Sequence, residues 1–262
     1  MSYNFIKMHG CGNDYIYFDC LEGEIINPHE LSLFWLCDRN KGVGGDGIVL
    51  ILPSILGAGR MQMFNADGSE GMMCGNAIRC VAEYLHTKKQ APAKMAIETA
   101  SGIKHVKAAG KGNWTVDMGR AGITPAQTMD VGGASYEVTQ VCMGNPHAVV
   151  FMDEIDNLDL AAIGPLFEHH PAFAPQRTNT EFVQVLARNH LKMRVWERGS
   201  GETQACGTGA CAAAVTAVIA GFCDEGADII VELLGGILTI NYTDAAVLMT
   251  GEAVAVFEGS LL

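Results

Sequence analysis

Charge is scarce in this chain, and positive charge scarcer still: 18% of its 262 residues are charged, 17 Lys and Arg stand against 29 Asp and Glu, and the formal net charge is -12. That balance excludes a basic face able to neutralise a phosphate backbone or settle on an anionic bilayer. No nucleic acid and no membrane is therefore expected as a partner, and a small molecule is. No apolar run reaches the roughly 20 residues that a membrane-crossing helix needs; the longest, about 209–222, reads as a buried helix. The first residues, Met1 to Lys7, lack the basic-then-apolar layout of a secretory signal, so a cytoplasmic protein is expected. No Cys-x-x-Cys pair occurs and the cysteine count, 9, is odd, which speaks against a disulfide framework and against a zinc ribbon. Low-complexity linkers are missing as well, and 49% hydrophobic residues place the chain among globular proteins.

What the chain does have is an internal echo. Ser69-Glu70-Gly71-Met72-Met73-Cys74-Gly75-Asn76-Ala77 returns as Gly201-Glu202-Thr203-Gln204-Ala205-Cys206-Gly207-Thr208-Gly209-Ala210, and each segment runs into an apolar, Ala-containing helical stretch. A cysteine at the start of a helix lies beside unpaired backbone N–H groups and the positive end of the dipole, which lower a thiol's pKa. Two such thiols suit inversion of a stereocentre: one removes a proton α to a carboxylate, the other delivers one to the opposite face. The amides of Gly75-Asn76 and Gly207-Thr208 are candidate donors for charge building on that carboxylate. The repeat favours two halves of roughly 120–130 residues, an ordinary domain size. We place them at 1–121, carrying Cys74, and 122–251, carrying Cys206, with a soft boundary near Gly119–Pro125 and with 252–262 able to return to the first half.

Strand patterns fall near 3–8 and 15–18, joined by the Gly- and Asx-rich His9-Gly10-Cys11-Gly12-Asn13-Asp14 turn, and near 48–52, 61–64, 94–99, 103–108 and 114–118. The second half offers 136–141, 147–151, 181–186, 191–196, 229–233, 237–242 and 246–249. Helices are expected at about 75–88 and 158–168, and after Cys206. A further helix is expected from Asn27-Pro28-His29-Glu30, a capping residue, proline and glutamate in N-terminal positions, to about Asp38. Many short strands and few helices give an α+β, mainly antiparallel architecture. Gly42-Val43-Gly44-Gly45-Asp46-Gly47 satisfies Gly-x-Gly-x-x-Gly, but a helix precedes it, a strand follows it, and Asp46 would repel a pyrophosphate. It reads as a turn. Cys11, Cys20, Cys37, Cys80, Cys142, Cys211 and Cys223 read as core or turn residues.

Six segments, in order and spanning nearly the whole chain, resemble those of the diaminopimelate epimerase family. They are Met8-His9-Gly10-Cys11-Gly12-Asn13-Asp14, Phe64-Asn65-Ala66-Asp67-Gly68-Ser69-Glu70, Cys74-Gly75-Asn76, Met143-Gly144-Asn145-Pro146-His147, Asn179-Thr180-Glu181-Phe182, and Glu197-Arg198-Gly199 through Cys206-Gly207-Thr208-Gly209. The resemblance implies two similar domains, each wrapping mostly antiparallel strands around a central helix, with the active site in the cleft between them. It implies PLP-independent epimerisation of LL- to meso-diaminopimelate for lysine and peptidoglycan synthesis, with no cofactor and no metal. By the same resemblance Cys74 and Cys206 are the acid/base pair, and Gly75, Asn76, Gly207 and Thr208 cradle the reacting carboxylate. Asn13, Asn65, Asn145, Asn179 and Arg198 hold the substrate, chiefly at its distal end, while His147 and Glu197 stand beside the thiols and tune their protonation. Arginine suits that grip because it binds carboxylates bidentately.

Two positions depart from some family members: Gly47 stands where a substrate-contacting glutamine occurs, and Thr208 where serine occurs. Neither removes a reactive group. A racemase of another amino acid, such as proline or histidine, is the nearer rival, opposed by the Asn and Arg set for a distal amino-acid end. A noncatalytic metabolite-binding or redox-sensing protein would need a damaged cysteine pair, and this pair is intact. A homodimer is left open.

Overall fold

The computed structural model describes residues 3–22, 26–28 and 30–261. In chain order the elements are β1 (Asn4–Gly10), β2 (Asn13–Asp19), α1 (Leu33–Leu36), β3 (Gly47–Leu52), β4 (Gly59–Asn65), β5 (Glu70–Gly71), α2 (Gly75–Lys89), β6 (Lys94–Thr99), β7 (Gly102–Ala108) and β8 (Asn113–Gly119). They continue as β9 (Gly122–Val131), β10 (Ala134–Cys142), β11 (Pro146–Phe151), α3 (Leu160–Glu168), a 3-10 turn (Pro171–Phe173), β12 (Asn179–Ala187), β13 (His190–Glu197) and β14 (Gly201–Glu202). The last are α4 (Gly207–Ile219), β15 (Asp228–Leu233), β16 (Gly236–Tyr242), β17 (Val247–Glu252) and β18 (Val254–Ser260). The chain divides into two compact units, Met1–Asp117 with Thr250–Leu262, and Met118–Met249.

Strand pairing inside the two units follows one scheme. In the first, β18, β1 and β2 pair antiparallel, β2 runs parallel to β3, β3 antiparallel to β4, and β4 pairs with short β5 and, in parallel, with β6, which hairpins with β7. In the second, β9, β10 and β11 pair antiparallel, β11 runs parallel to β12, β12 antiparallel to β13, and β13 pairs with short β14 and, in parallel, with β15, which hairpins with β16. Each unit therefore wraps mostly antiparallel strands around one long helix, α2 against β1, β2, β4 and β6, and α4 against β10 to β13, β15 and β16.

The sequences of those helices explain their depth. α4 is Gly, Ala, Cys, Val and Thr until its final Ile219, and ten of its residues are buried, so it has no polar face to show to water. α2 buries Gly75 to Ala82 and Leu85, then surfaces at Thr87, Lys88 and Lys89, the two lysines being cations that suit the negative end of the dipole. β3, Gly-Ile-Val-Leu-Ile-Leu, is buried at every position, as a strand covered on both faces must be. Its outward face packs with Phe5, Ile16, Phe18, Leu33 and Phe64, and the second unit has a matching cluster of Val138, Val150, Leu160, Phe167 and Phe182.

Several expectations are corrected. The helix expected over 28–38 is only Leu33–Leu36; Glu30 N–H bonds to Asn27 O at 3.0 Å and Asn27 Nδ2 to Glu30 Oε1 at 3.0 Å, so the capping residues close a turn instead of opening a helix. His29 lies outside the described residues. A strand with no counterpart among the expected ones, β9, begins at Gly122; its outer residues are exposed and so carry no hydrophobic alternation. Pro125 and Ala126 face Thr139 where the register with β10 shifts, a bulge that accommodates a residue lacking an N–H. Cys142 is exposed, unlike the buried Cys80 and Cys211.

Candidate active site

In the first unit, Cys74 is the N-cap of α2, with φ -133 and ψ 123, and its sulfur accepts the Ala77 N–H at 3.5 Å. The Cys74 S–H donates to Asn13 Oδ1 at 3.3 Å, an oxygen that Asn76 Nδ2 also reaches at 3.4 Å. Asn13 opens β2 after a turn in which Cys11 and Gly12 both take positive φ, 53 and 74. Its amide is fixed from the other end: Nδ2 donates to Asp46 Oδ2 at 2.6 Å, and the same oxygen accepts the Asp14 N–H at 3.1 Å. Asp46 is in turn held by Arg39 at 3.0 Å, which grips Asp14 at 2.7 and 3.1 Å, and Lys7 reaches Asp14 at 2.6 Å. Burial works to raise Asp14, but hydrogen bonds from Arg39 and Lys7 outweigh it and hold the carboxyl below its usual range. Burial, with Asp14 alongside, pushes Asp46 up.

Arg79 lies fully buried under the first turn of α2 and donates to Gly75 O at 3.1 Å, Asn76 Oδ1 at 2.9 Å and Glu252 O at 3.1 Å. It thereby orients the Asn76 side chain. Gly75 is buried at the head of the helix. Asn65 stands apart from this set: it is exposed at the end of β4 and donates to Ser69 Oγ at 2.9 Å. At Gly47 a Cβ would meet Phe64 O at 2.1 Å, so no glutamine can occupy this position on this backbone.

In the second unit, Cys206 is the N-cap of α4, 5% exposed, with Thr208 Oγ1 3.5 Å from its sulfur. Thr208 Oγ1 accepts from Asn145 Nδ2 at 3.4 Å, and Asn145 Oδ1 lies 3.1 Å from His147 Nε2. Gly144, at φ 94, makes the turn that delivers Asn145 and β11. His147 Nδ1 and Glu181 Oε1 are 2.7 Å apart with both side chains fully buried. Glu197 accepts from Thr203 Oγ1 at 2.5 Å, and burial pushes its carboxyl up. Asn179 Oδ1 accepts the Arg198 N–H at 3.0 Å, and the Arg198 guanidinium donates to Gln176 O at 2.9 Å. Gly207 is buried at the first position of α4.

Cys206 does not show the lowered pKa that a place at a helix start alone would give it. Burial, then the Glu197 and Glu181 carboxylates, push Cys206 well above an ordinary thiol, against smaller opposing hydrogen bonds from Thr208 and the Gly209 N–H. Desolvation outweighs the helix terminus here. Among the described residues one set could hold a metal ion, His147, Glu181 and Cys206, whose ligand atoms lie within 4.8 Å of one another; its imidazole and carboxylate are already committed to each other. The first-turn amides of α2 and α4 are suited to a carboxylate.

A profile of diaminopimelate epimerase matches residues 5–124 and 139–256. The chain belongs to the diaminopimelate epimerase family. It is 50% identical over 281 residues to the diaminopimelate epimerase of Desulfovibrio desulfuricans, covering 97% of this chain and 96% of that one. It is 48% identical over 269 residues to that of Parabacteroides distasonis, covering 98% and 97%. Among solved structures, a hydroxyproline epimerase from Agrobacterium vitis superposes with a TM-score of 0.72 at 15% identity, over 99% of this chain and 92% of that one. A probable proline racemase from Agrobacterium radiobacter gives 0.71 at 14%, over 99% and 93%. Those two share the fold. Among the residues tied into these sets without an expected role are Asp46, Arg79 and Glu181. Glu181 stood inside a family-like segment, and Asp46 inside the rejected glycine motif, but their partners come from other strands.

Proposed function

We propose that this family member epimerises LL-diaminopimelate to meso-diaminopimelate with Cys74 and Cys206 as its acid–base pair. The observation that carries the reading is that each unit sets a cysteine at the N-cap of its central helix, in the same place in the same pairing scheme. In the forward cycle Cys74, half-buried and receiving the Ala77 N–H, removes the α-proton as its thiolate. Cys206, whose environment favours the thiol, delivers a proton to the other face. The reverse reaction exchanges the roles. Charge leaving the carbon spreads into the α-carboxylate, where the first-turn amides of the two helices, Gly75-Asn76 and Gly207-Thr208, stabilise it. The chemistry requires one carbon within reach of both sulfurs.

Asn13, Asn65, Asn145, Asn179 and Arg198 hold the rest of the substrate, and Glu197 and His147 set the protonation of the thiols. The work is cytoplasmic in this reading; no helix among the described residues is long and apolar enough to cross a membrane. A coupled assay with LL-diaminopimelate under reducing conditions tests it. Turnover is expected from the intact protein and its loss from Cys74→Ser and Cys206→Ser, with no turnover of L-proline or L-histidine. Full activity in either serine variant would overturn the assignment of the pair, and preferential turnover of proline would favour the racemase.

A further inference from the structure

Among the described residues, Glu181 is a fully buried carboxylate joined to the Cys206 set by hydrogen bonds without an expected role. It sits on β12 opposite Val149 of β11, two residues beyond the pair His147 and Asn179, and its side chain reaches the His147 ring from below the start of α4. The space is made by Gly209: a Cβ there would come within 2.5 Å of Glu181 Oε1. The second oxygen, Oε2, is buried without a hydrogen-bond partner among the described residues. A carboxylate kept so dry, with half its acceptor capacity unused, is costly unless its one partner holds a proton for it.

The contacts that lead away from Glu181 form a line with a direction. His147 Nδ1 is 2.7 Å from Glu181 Oε1, His147 Nε2 is 3.1 Å from Asn145 Oδ1, Asn145 Nδ2 is 3.4 Å from Thr208 Oγ1, and Thr208 Oγ1 is 3.5 Å from Cys206 Sγ. Asn145 presents its oxygen to the imidazole and its amine to the hydroxyl. The imidazole must then carry a proton on Nε2, because two acceptors cannot face each other. Thr208 Oγ1, accepting from Asn145, has its own hydrogen left to donate to the sulfur. Nδ1 and Oε1 share one further proton between them.

We propose that Glu181 is a positioning residue for the epimerisation: by holding His147 in the Nε2–H form it turns the Asn145 amide and aims the Thr208 hydroxyl at the Cys206 sulfur. The thiolate that appears when Cys206 gives up its proton is then met by a donor already in place, and no group has to rotate. Glu181 touches no substrate. It acts through three side chains, on the reading of Cys206 as half of the acid–base pair.

The experiment is ring-nitrogen NMR of protein labelled with 15N-histidine at neutral pH without substrate, with His147 assigned by its disappearance in His147→Asn. The intact protein is expected to show Nε2 of His147 protonated. Glu181→Gln keeps that signature, since its amide N–H donates to Nδ1 and leaves the proton on Nε2, and it retains most of the activity. Glu181→Met, of similar length but unable to pair, mixes the two tautomers and lowers kcat about tenfold or more, while KM moves less than about threefold. An unprotonated Nε2 in the intact protein overturns the proposal, as does a Glu181→Met variant with unchanged ring signature and kcat. If Glu181→Met fails to fold, the intact protein and Glu181→Gln decide the matter. Because the ring is read without substrate, its failure is distinct from failure of the epimerase reading, which the LL-diaminopimelate assay detects.

Discussion

Burial and two carboxylates, Glu197 and Glu181, hold Cys206 as a thiol, whereas Cys74 is half-buried with a backbone N–H on its sulfur. An alkylating agent attacks thiolates. Iodoacetamide at pH 8 should therefore modify Cys74, with loss of activity, before Cys206, whose reaction should climb only as the pH passes above the ordinary thiol range. Peptide mapping at half-inactivation checks the order, and Cys206 modified first would contradict it. Exposed Cys142 should react as well, without consequence for turnover. Arg198 provides a second test at this scale. Its backbone is pinned by Asn179, and among the described residues its guanidinium donates to Gln176 O, so it can turn a planar fork toward a carboxylate. Arg198→Lys substitutes a point charge and should raise KM tens-fold, about 2 kcal/mol for a charge-assisted bond, with an unchanged melting temperature. An unchanged KM would remove Arg198 from the substrate's grip.

Among the elements, β3 and its neighbours illustrate how a family difference is written into a backbone. Gly47 packs so closely on Phe64 O that a side chain there must push β3 and β4 apart. Gly47→Gln should cost about 1–3 kcal/mol, the usual penalty of overpacking, measured by urea denaturation; a variant as stable as the parent would show that β4 yields. The elements legible in the sequence are those whose pattern is local: β3 as an unbroken apolar run, α4 as an all-apolar helix, β13 by its alternation. Those that escaped depend on distant partners. β9 and β18 show mostly exposed residues and exist because β10 and β1 offer them an edge. The Asn27 and Glu30 pair looked like a capping box, yet only one short turn of helix forms, further on, where Leu33 and Cys37 are buried and Leu31 and Leu36 pack only at the edge of the cluster. In the site, cysteines, asparagines and arginine announced themselves as motifs. Glu181, Asp46 and Arg79 did not, because what defines each is a partner brought by another strand, His147, Asn13 or the Glu252 carbonyl.

At the scale of the molecule, one scheme of strand pairing used twice gives each unit a buried helix with a cysteine at its head. Two such heads are what an inversion by two bases calls for: one group receives the substrate's proton and another supplies the new one. The most direct measurement is the fate of the α-hydrogen when LL-diaminopimelate is turned over in D₂O. Early meso product should carry solvent deuterium at the inverted carbon in essentially every molecule, because the delivering thiol has exchanged with solvent before the substrate binds. Early product that retains the substrate's own α-hydrogen would mean that a single base removes and returns the proton, and would contradict the two-thiol account.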